Sequence, residues 1–215
     1  MPARAKTHRP FNGRKGTIIA VSLPNGIIFA LATTYASADT VSAVTNANPA
    51  VATTSGSHGI TTGNFLEVTS GWAKLNGRIV RSASASGTTV TYEGIDTSST
   101  TLYPAGSGTG SVREITAWTQ ISQVLDLSTS GGDMQFATYS FLEQDFETQL
   151  PTQSSPMTIN MTIADDASLS GYTSLKAAAA ARSAVALKAT LPSGSIIVYN
   201  GYVSFNETPT MTKNQ

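Results

Sequence analysis

The sequence predicts a mainly β protein with a single helix, and three observations make the prediction. Apolar and polar residues alternate along most of the chain, the alternating runs are short and bounded by glycine, proline, asparagine or serine, and one stretch alone has helical composition. Chains that are disordered because they are rich in serine, threonine and glycine lack such alternation, so the 215 residues read as folded. A chain of this length can bury roughly 70% of its unfolded surface, which permits a core without covalent staples.

The elements follow in order. The first 15 residues carry Arg4, Lys6, Arg9, Arg14 and Lys15 with almost no apolar anchor, so on their own they form a flexible arm. TIIAVS and GIIFALATTY then flank Leu23-Pro24-Asn25-Gly26, where proline presets φ and Asn-Gly accepts positive φ; a β-hairpin or tight turn is expected. From Ser42 to Thr116 the texture changes to FLEV, LNGRIVRSA, TTVTYEGI and SVREIT, closely spaced runs typical of a small barrel or sandwich. The glycine-rich YPAGSGTGS near its end reads as a linker, and Trp118 opens a new apolar segment.

The last third holds longer strands: ISQVLDL, MQFATYSFLEQDF, MTINMTIA, AVALKATL and SIIVYNGYVSF, the last two joined by a turn at Pro192-Ser193-Gly194. Between MTINMTIA and AVALKATL lies the helix, within DDASLSGYTSLKAAAAARSA. Asp165 and Asp166, or Ser168 and Ser170, suit its N-terminal cap, the alanine run propagates it, and Arg182 complements its C-terminal end. Leu169, Tyr172 and Leu175 supply the expected apolar stripe. The domain division expected from this order is 1–41 (arm and first strands), 42–116 (inserted module) and 117–215 (remainder of the main domain).

Composition narrows the function. With Cys 0, disulfides, thiolate catalysis and cysteine zinc sites are excluded. A formal net charge of +0 with 12% charged residues argues against dedicated nucleic-acid or polybasic membrane binding, and suits a protein whose surface ends in interfaces. No run approaches the about 18 apolar residues of a membrane span, and the basic start lacks the apolar core of a signal peptide. No membrane association is expected.

Little in the chain resembles a reaction centre. His8 and His58 are the only histidines, and Ser57 and His58 point to opposite faces of an extended chain, so His58 is read as a turn residue capping local backbone. Gly106-Ser107-Gly108-Thr109-Gly110 lacks the lysine of a phosphate loop and the spacing of a dinucleotide fingerprint. Asp165 and Asp166 are explained by capping without a cation. No catalytic residue, cofactor or metal site is assigned. One charge pattern is less ordinary: if FLEQDFE continues a strand, Glu143, Asp145 and Glu147 share one face. Such a row faces solvent, repels a polyanion, or receives the basic arm of a neighbour.

The segment running from YSFLEQDFETQLPTQSSPMTINMTIADDASLSGYTSLK to SIIVYNGYVSFNETPTM resembles the common core of siphophage major tail tube proteins, with a hairpin arm around LPTQSSP, an aspartate-led helix and a closing strand pair with a P-x-G turn. Independently, HGI-x-x-GNFLEV and W-x-x-LNGR resemble a small β-barrel module inserted in phage structural proteins. The resemblance implies a β-sandwich or half-barrel flanked by one helix, plus the inserted barrel. It further implies a virion protein, assembled in the host cytoplasm into stacked, hexameric rings. Its partners would be further copies of itself, a tape measure protein in the lumen, tail terminator and distal tail proteins, and DNA in transient passage. Glu143, Asp145 and Glu147 would face the lumen, and Arg4, Lys6, Arg9, Arg14 and Lys15 would reach the adjacent ring.

Three rivals stand beside it. A capsid decoration or tail terminator protein shares the β-rich composition; a carbohydrate-binding sandwich would need exposed aromatic platforms from a 7% aromatic content; a wall hydrolase would need a convergent carboxylate cluster.

Overall fold

The computed structural model describes residues 25–208, which form thirteen strands and one helix. The strands are β1 (Ile28–Tyr35), β2 (Asp39–Val44), β3 (Val51–Thr54), β4 (Phe65–Ser70), β5 (Arg78–Ser86), β6 (Thr89–Tyr92), β7 (Gly110–Ile121), β8 (Val124–Ser130), β9 (Met134–Tyr139), β10 (Thr148–Ser154) and β11 (Thr158–Ile163). Helix α1 (Ser170–Ala181) precedes β12 (Ala184–Thr190) and β13 (Ile196–Tyr202). The expected strand TIIAVS and the basic arm lie outside the described residues; the turn at Asn25–Gly26 is present, with Gly26 at φ +90.

Six of the strands close a barrel in the order β7-β2-β3-β6-β5-β4, with β4 returning to β7. Closure removes every open edge, which a small antiparallel sheet must otherwise protect. Alternate residues fill the interior: Leu66 and Val68 of β4, Val80 of β5, Val90 and Tyr92 of β6, and Val112 of β7 are buried. Trp72 plugs one end, donating its indole N–H to the Pro104 carbonyl at 2.7 Å and meeting Tyr103 edge-on at 5.2 Å. Here the linker reading of the glycine-rich segment is corrected. Gly108 lies under the Trp72 ring, where a Cβ would come within 2.9 Å, and at Gly110 a Cβ would come within 2.1 Å of the Thr69 carbonyl. The glycines are there because tryptophan and backbone leave no room for a side chain.

β7 is twelve residues long and serves two structures. Its first half, Gly110 to Glu114, pairs with β2 and β4 in the barrel, and its second half pairs with β1 in a four-stranded sheet ordered β13-β12-β1-β7. The 41/42 and 116/117 divisions read from the sequence fall inside β2 and β7.

Buried on both faces, β1 reads as a near-continuous apolar run rather than an alternating one. Phe29 and Leu31 face a core made with Ile121, Ala178, Ala189, Leu175 and Met161, contributed by β7, α1, β12 and β11. Ala32 faces the other way, toward Ile115, Ala186, Trp118 and the barrel residues Phe65 and Ile79. Small side chains on that face let the barrel approach, and Phe65 packs edge-on against Trp118 at 5.8 Å. Polar contacts reinforce the junction. Arg113 donates to Glu67 at 2.6 Å and lies 4.2 Å above the Tyr35 ring, the Tyr35 hydroxyl accepts from the Ala186 N–H, and Asn200 donates to the Gly77 carbonyl at 2.7 Å. The Lys188 ammonium sits 4.5 Å over Trp118, where burial pulls its pKa down.

Two expectations for the helix are corrected. It starts at Ser170 with Leu169 in the capping position, and no side chain caps it. Asp166 instead accepts from the Ser168 N–H and hydroxyl at 3.0 and 2.6 Å, a local turn that holds its carboxyl below the usual range through those bonds. Asp165 likewise precedes the helix without capping it: its charge and hydrogen bonding add to burial in raising the Tyr172 phenol. The buried positions are Gly171 and Ala178, with Leu175 half-buried between them, so of the expected stripe Leu175 faces the core while Leu169 and Tyr172 do not join it. Tyr172 packs edge-on against Phe205 of the tail after β13 at 4.9 Å, and Lys176 pairs with Glu207 at 2.8 Å.

Candidate assembly surface

From β7 the chain turns sharply at Gln123, which has φ +58, and runs into a long arm. β8 and β9 lead outward and β10 and β11 return, with β8 paired to β11 and β9 to β10. A kink separates the two ladders. Gly131 and Gly132 both have φ above +80 there, and a Cβ on Gly131 would come within 2.0 Å of the Pro156 carbonyl. Across the kink, Gly132 donates to the Ser155 carbonyl and Ser155 to the Asp133 carbonyl at 3.2 and 2.9 Å, so the arm bends without losing its pairing.

The inner half is anchored, because Val124, Met161 and Ile163 join the sandwich core. The outer half has no such support: every residue of β9 is exposed, and within the described residues no other element packs extensively on β9 or β10. Phe136, Phe141, Leu142, Phe146 and Leu150 are all more than half exposed, Leu142 completely so. An isolated two-stranded ribbon is at best marginally stable in water, and an apolar one is a place for a partner.

At the tip, the strand expected through FLEQDFE is corrected. β9 ends at Tyr139 and β10 starts at Thr148, and the residues between form the connecting loop, with a turn in which Gln144 donates to the Phe141 carbonyl at 3.0 Å. The alternation of acids and apolar residues is real, but no neighbouring strand exists to hold it extended. Glu143, Asp145 and Glu147 therefore share a loop at the end of the arm and not one strand face.

A second open margin lies on the sheet. β13 pairs with β12, and among the described residues its other edge is unpaired, with Ile196, Ile197 and Tyr202 exposed beside it. Open edges carrying apolar side chains are templates for another chain.

Elsewhere the polar groups are spent on the fold. His58 approaches the Thr89 carbonyl through Nε2 at 3.2 Å and accepts from the Ile60 N–H through Nδ1, so its ring bridges backbone. Glu114 is buried beside a cavity of about 260 Å³ that Asp39 and Ile60 also line. Both of its oxygens are taken, by the Thr61 N–H at 2.7 Å and the Asn64 amide at 2.6 Å, which pins the loop before β4. Among the described residues, no three histidine, aspartate or glutamate side chains gather closely enough to hold a metal ion. No described helix is long and apolar enough to cross a membrane.

A family model described as phage tail tube protein matches residues 70–215, more than half of the chain. The chain belongs to the phage tail tube protein family. The match begins at the last residue of β4 and takes in β5 to β7, the arm, α1 and the closing strands. No curated protein and no solved structure matches this tail tube protein. Membership makes it a structural component of the virion tail, and a β-rich architecture with one flanking helix and a small closed barrel is what the sequence predicts. Sequence reasoning missed the kink that turns two hairpins into one arm, although the dipeptide Gly131-Gly132 facing Ser155-Pro156 carried the signal.

Proposed function

We propose that this tail tube protein self-assembles into rings that stack into the conduit through which a long-tailed phage delivers its genome. The outer arm carries this reading: a ribbon with both faces exposed, ending in Phe141, Leu142 and Phe146, becomes stable when another copy covers it. The open edge of β13 supports it, since pairing between copies would satisfy the edge and curve the sheets into a closed wall. On this reading the tape measure protein occupies the lumen during assembly, and terminator and distal tail proteins cover the ends of the tube. Residues 42–116 act as a barrel module carried on the tube.

Purified protein viewed in negative stain tests the core of the proposal. Hollow filaments or stacked annuli are expected; stable single globules at every concentration overturn it. The acidic tip separates two finer readings. Glu143, Asp145 and Glu147 either line the lumen, where they keep phosphates from adhering, or receive the basic residues Arg4, Lys6, Arg9, Arg14 and Lys15 of an adjacent ring. Their place at the end of a projecting arm favours contact between copies. Replacing all three with lysine is expected to block tube growth while subunits stay folded. Tubes that form normally and slow only genome ejection would favour the lumen.

A further inference from the structure

The ribbon β8–β11 has two unlike faces. On one, Leu127 pairs with Met161 and Thr129 with Ile159 across the ladder, and these side chains meet the sandwich core or the apolar cavity of about 110 Å³ beside it. On the other, the register sets Asp126 against Thr162, Ser128 against Asn160 and Ser130 against Thr158, all exposed. These six supply hydroxyls, one amide and one carboxylate, with no cation and no large apolar group among them. Farther out the arm is different: Met134 and Phe136 lie on one face of the β9–β10 ladder, Tyr139 and Leu150 on the other. Copies can cover the outer half on both sides, whereas the outward face of the inner half is made to stay wet.

The two faces of the sheet β13-β12-β1-β7 are taken by different neighbours. Phe29 and Leu31 turn to the ribbon and to α1, which covers the β7 end, while Ala32 turns to the barrel residues Phe65 and Ile79. The order across the subunit is therefore barrel, sheet, ribbon, and the hydroxyl face is outermost on the side away from the barrel. In a ring of copies one of these sides faces the axis. A closed barrel with a filled interior would obstruct a passage there, so its place is the outside.

We infer that the face carrying Asp126, Ser128, Ser130, Thr158, Asn160 and Thr162 lines the channel and is the wall along which DNA slides. The inference rests on the tube reading and gives that channel its surface. DNA carries one negative charge per about 1.7 Å of its axis and adheres where cations release its counterions. Hydroxyls and an amide offer phosphates no cation, and Asp126, repeated around the ring, makes a sparse belt of like charge. Lys188 is kept out of this wall, over Trp118 on the barrel side of the sheet.

The chain contains Cys 0, so a single engineered thiol marks one place. Tubes of full-length Asn160→Cys protein, soaked in a small mercurial and averaged in cross-section, are expected to show the metal at the rim of the channel. Tubes of Ser86→Cys protein, with the thiol on barrel strand β5, are expected to show it at the outer surface. No metal on Asn160→Cys tubes, metal on their outside, or metal in the channel of Ser86→Cys tubes overturns the inference and leaves the tube reading in place. Unaltered protein that forms no tubes overturns both. Should Asn160→Cys alone fail to assemble, Ser128→Cys and Thr158→Cys decide; if all three block assembly, the face is a contact between copies and the inference falls. In phage, Ser128→Lys with Asn160→Lys is expected to leave tubes intact and to slow DNA ejection at least about tenfold at low salt, with added salt restoring it. Ejection at the unaltered rate overturns the assignment of this face as the wall along which DNA slides.

Discussion

Gly171 is where the helix touches the sheet. A Cβ there would lie 2.6 Å from the Gln120 carbonyl oxygen and 2.9 Å from the Ile121 Cα, both backbone atoms that cannot rotate away. On an exposed helix, Gly→Ala gains about 1 kcal/mol. Here the clash outweighs that gain, and Gly171→Ala is expected to lower stability by about 1–3 kcal/mol in denaturant melts. Tyr92 offers the opposite case. Its hydroxyl is buried in the barrel with no partner, so Tyr92→Phe should be neutral or stabilising at pH 7, by up to about 1 kcal/mol. Burial also holds the phenol protonated far above its ordinary value of 10.0. Above about pH 10 the unfolded phenol releases its proton while the native one keeps it, so stability falls as pH rises. Tyr92→Phe removes that share of the fall, seen by comparing the two proteins from pH 9 to 11. Neither environment was visible in the sequence, since Gly171 is crowded by backbone of Gln120 and Ile121 on β7 and Tyr92 is enclosed by a cluster drawn from several strands.

Among the elements, the arm depends on its kink. Gly131 adopts φ +82 with Pro156 pressed against it, and no other residue type meets both conditions. Gly131→Ala is expected to leave the barrel and α1 intact, as measured by near-ultraviolet circular dichroism, while exchange protection across β9 and β10 drops and assembly slows. Strand existence was legible for β1, β4 to β9 and β11 to β13, where alternation or an unbroken apolar run coincides with an observed strand. It misled at FLEQDFE, because alternation alone does not make a strand when nothing lies alongside. The helix was legible from its alanine run and its stripe only at Leu175: close approach selects Gly171 and Ala178 beside it, small residues that a hydrophobic pattern overlooks.

At the scale of the molecule, the exposed apolar side chains of the described residues are concentrated on the arm, while the charges of the full chain balance to +0. Assembly should therefore respond to apolar contacts on the ribbon. Phe136→Ser combined with Leu142→Ser is expected to yield folded subunits that sediment singly at concentrations where the unaltered protein polymerises. The overall class was legible because a closed barrel and a two-faced sheet leave different textures, short glycine-bounded runs for one and longer strands for the other. The docking of one on the other was not, since Phe65, Ile79, Trp118 and Ala186 are scattered through the chain and meet only in space. That docking, together with the unbroken β7, bears on imaging. If copies assemble as proposed, the barrel, fixed to the four-stranded sheet through β7 and the Phe65–Trp118 contact, should come out as sharp as that sheet in averaged micrographs of a filament, where a module on a loose tether would blur away.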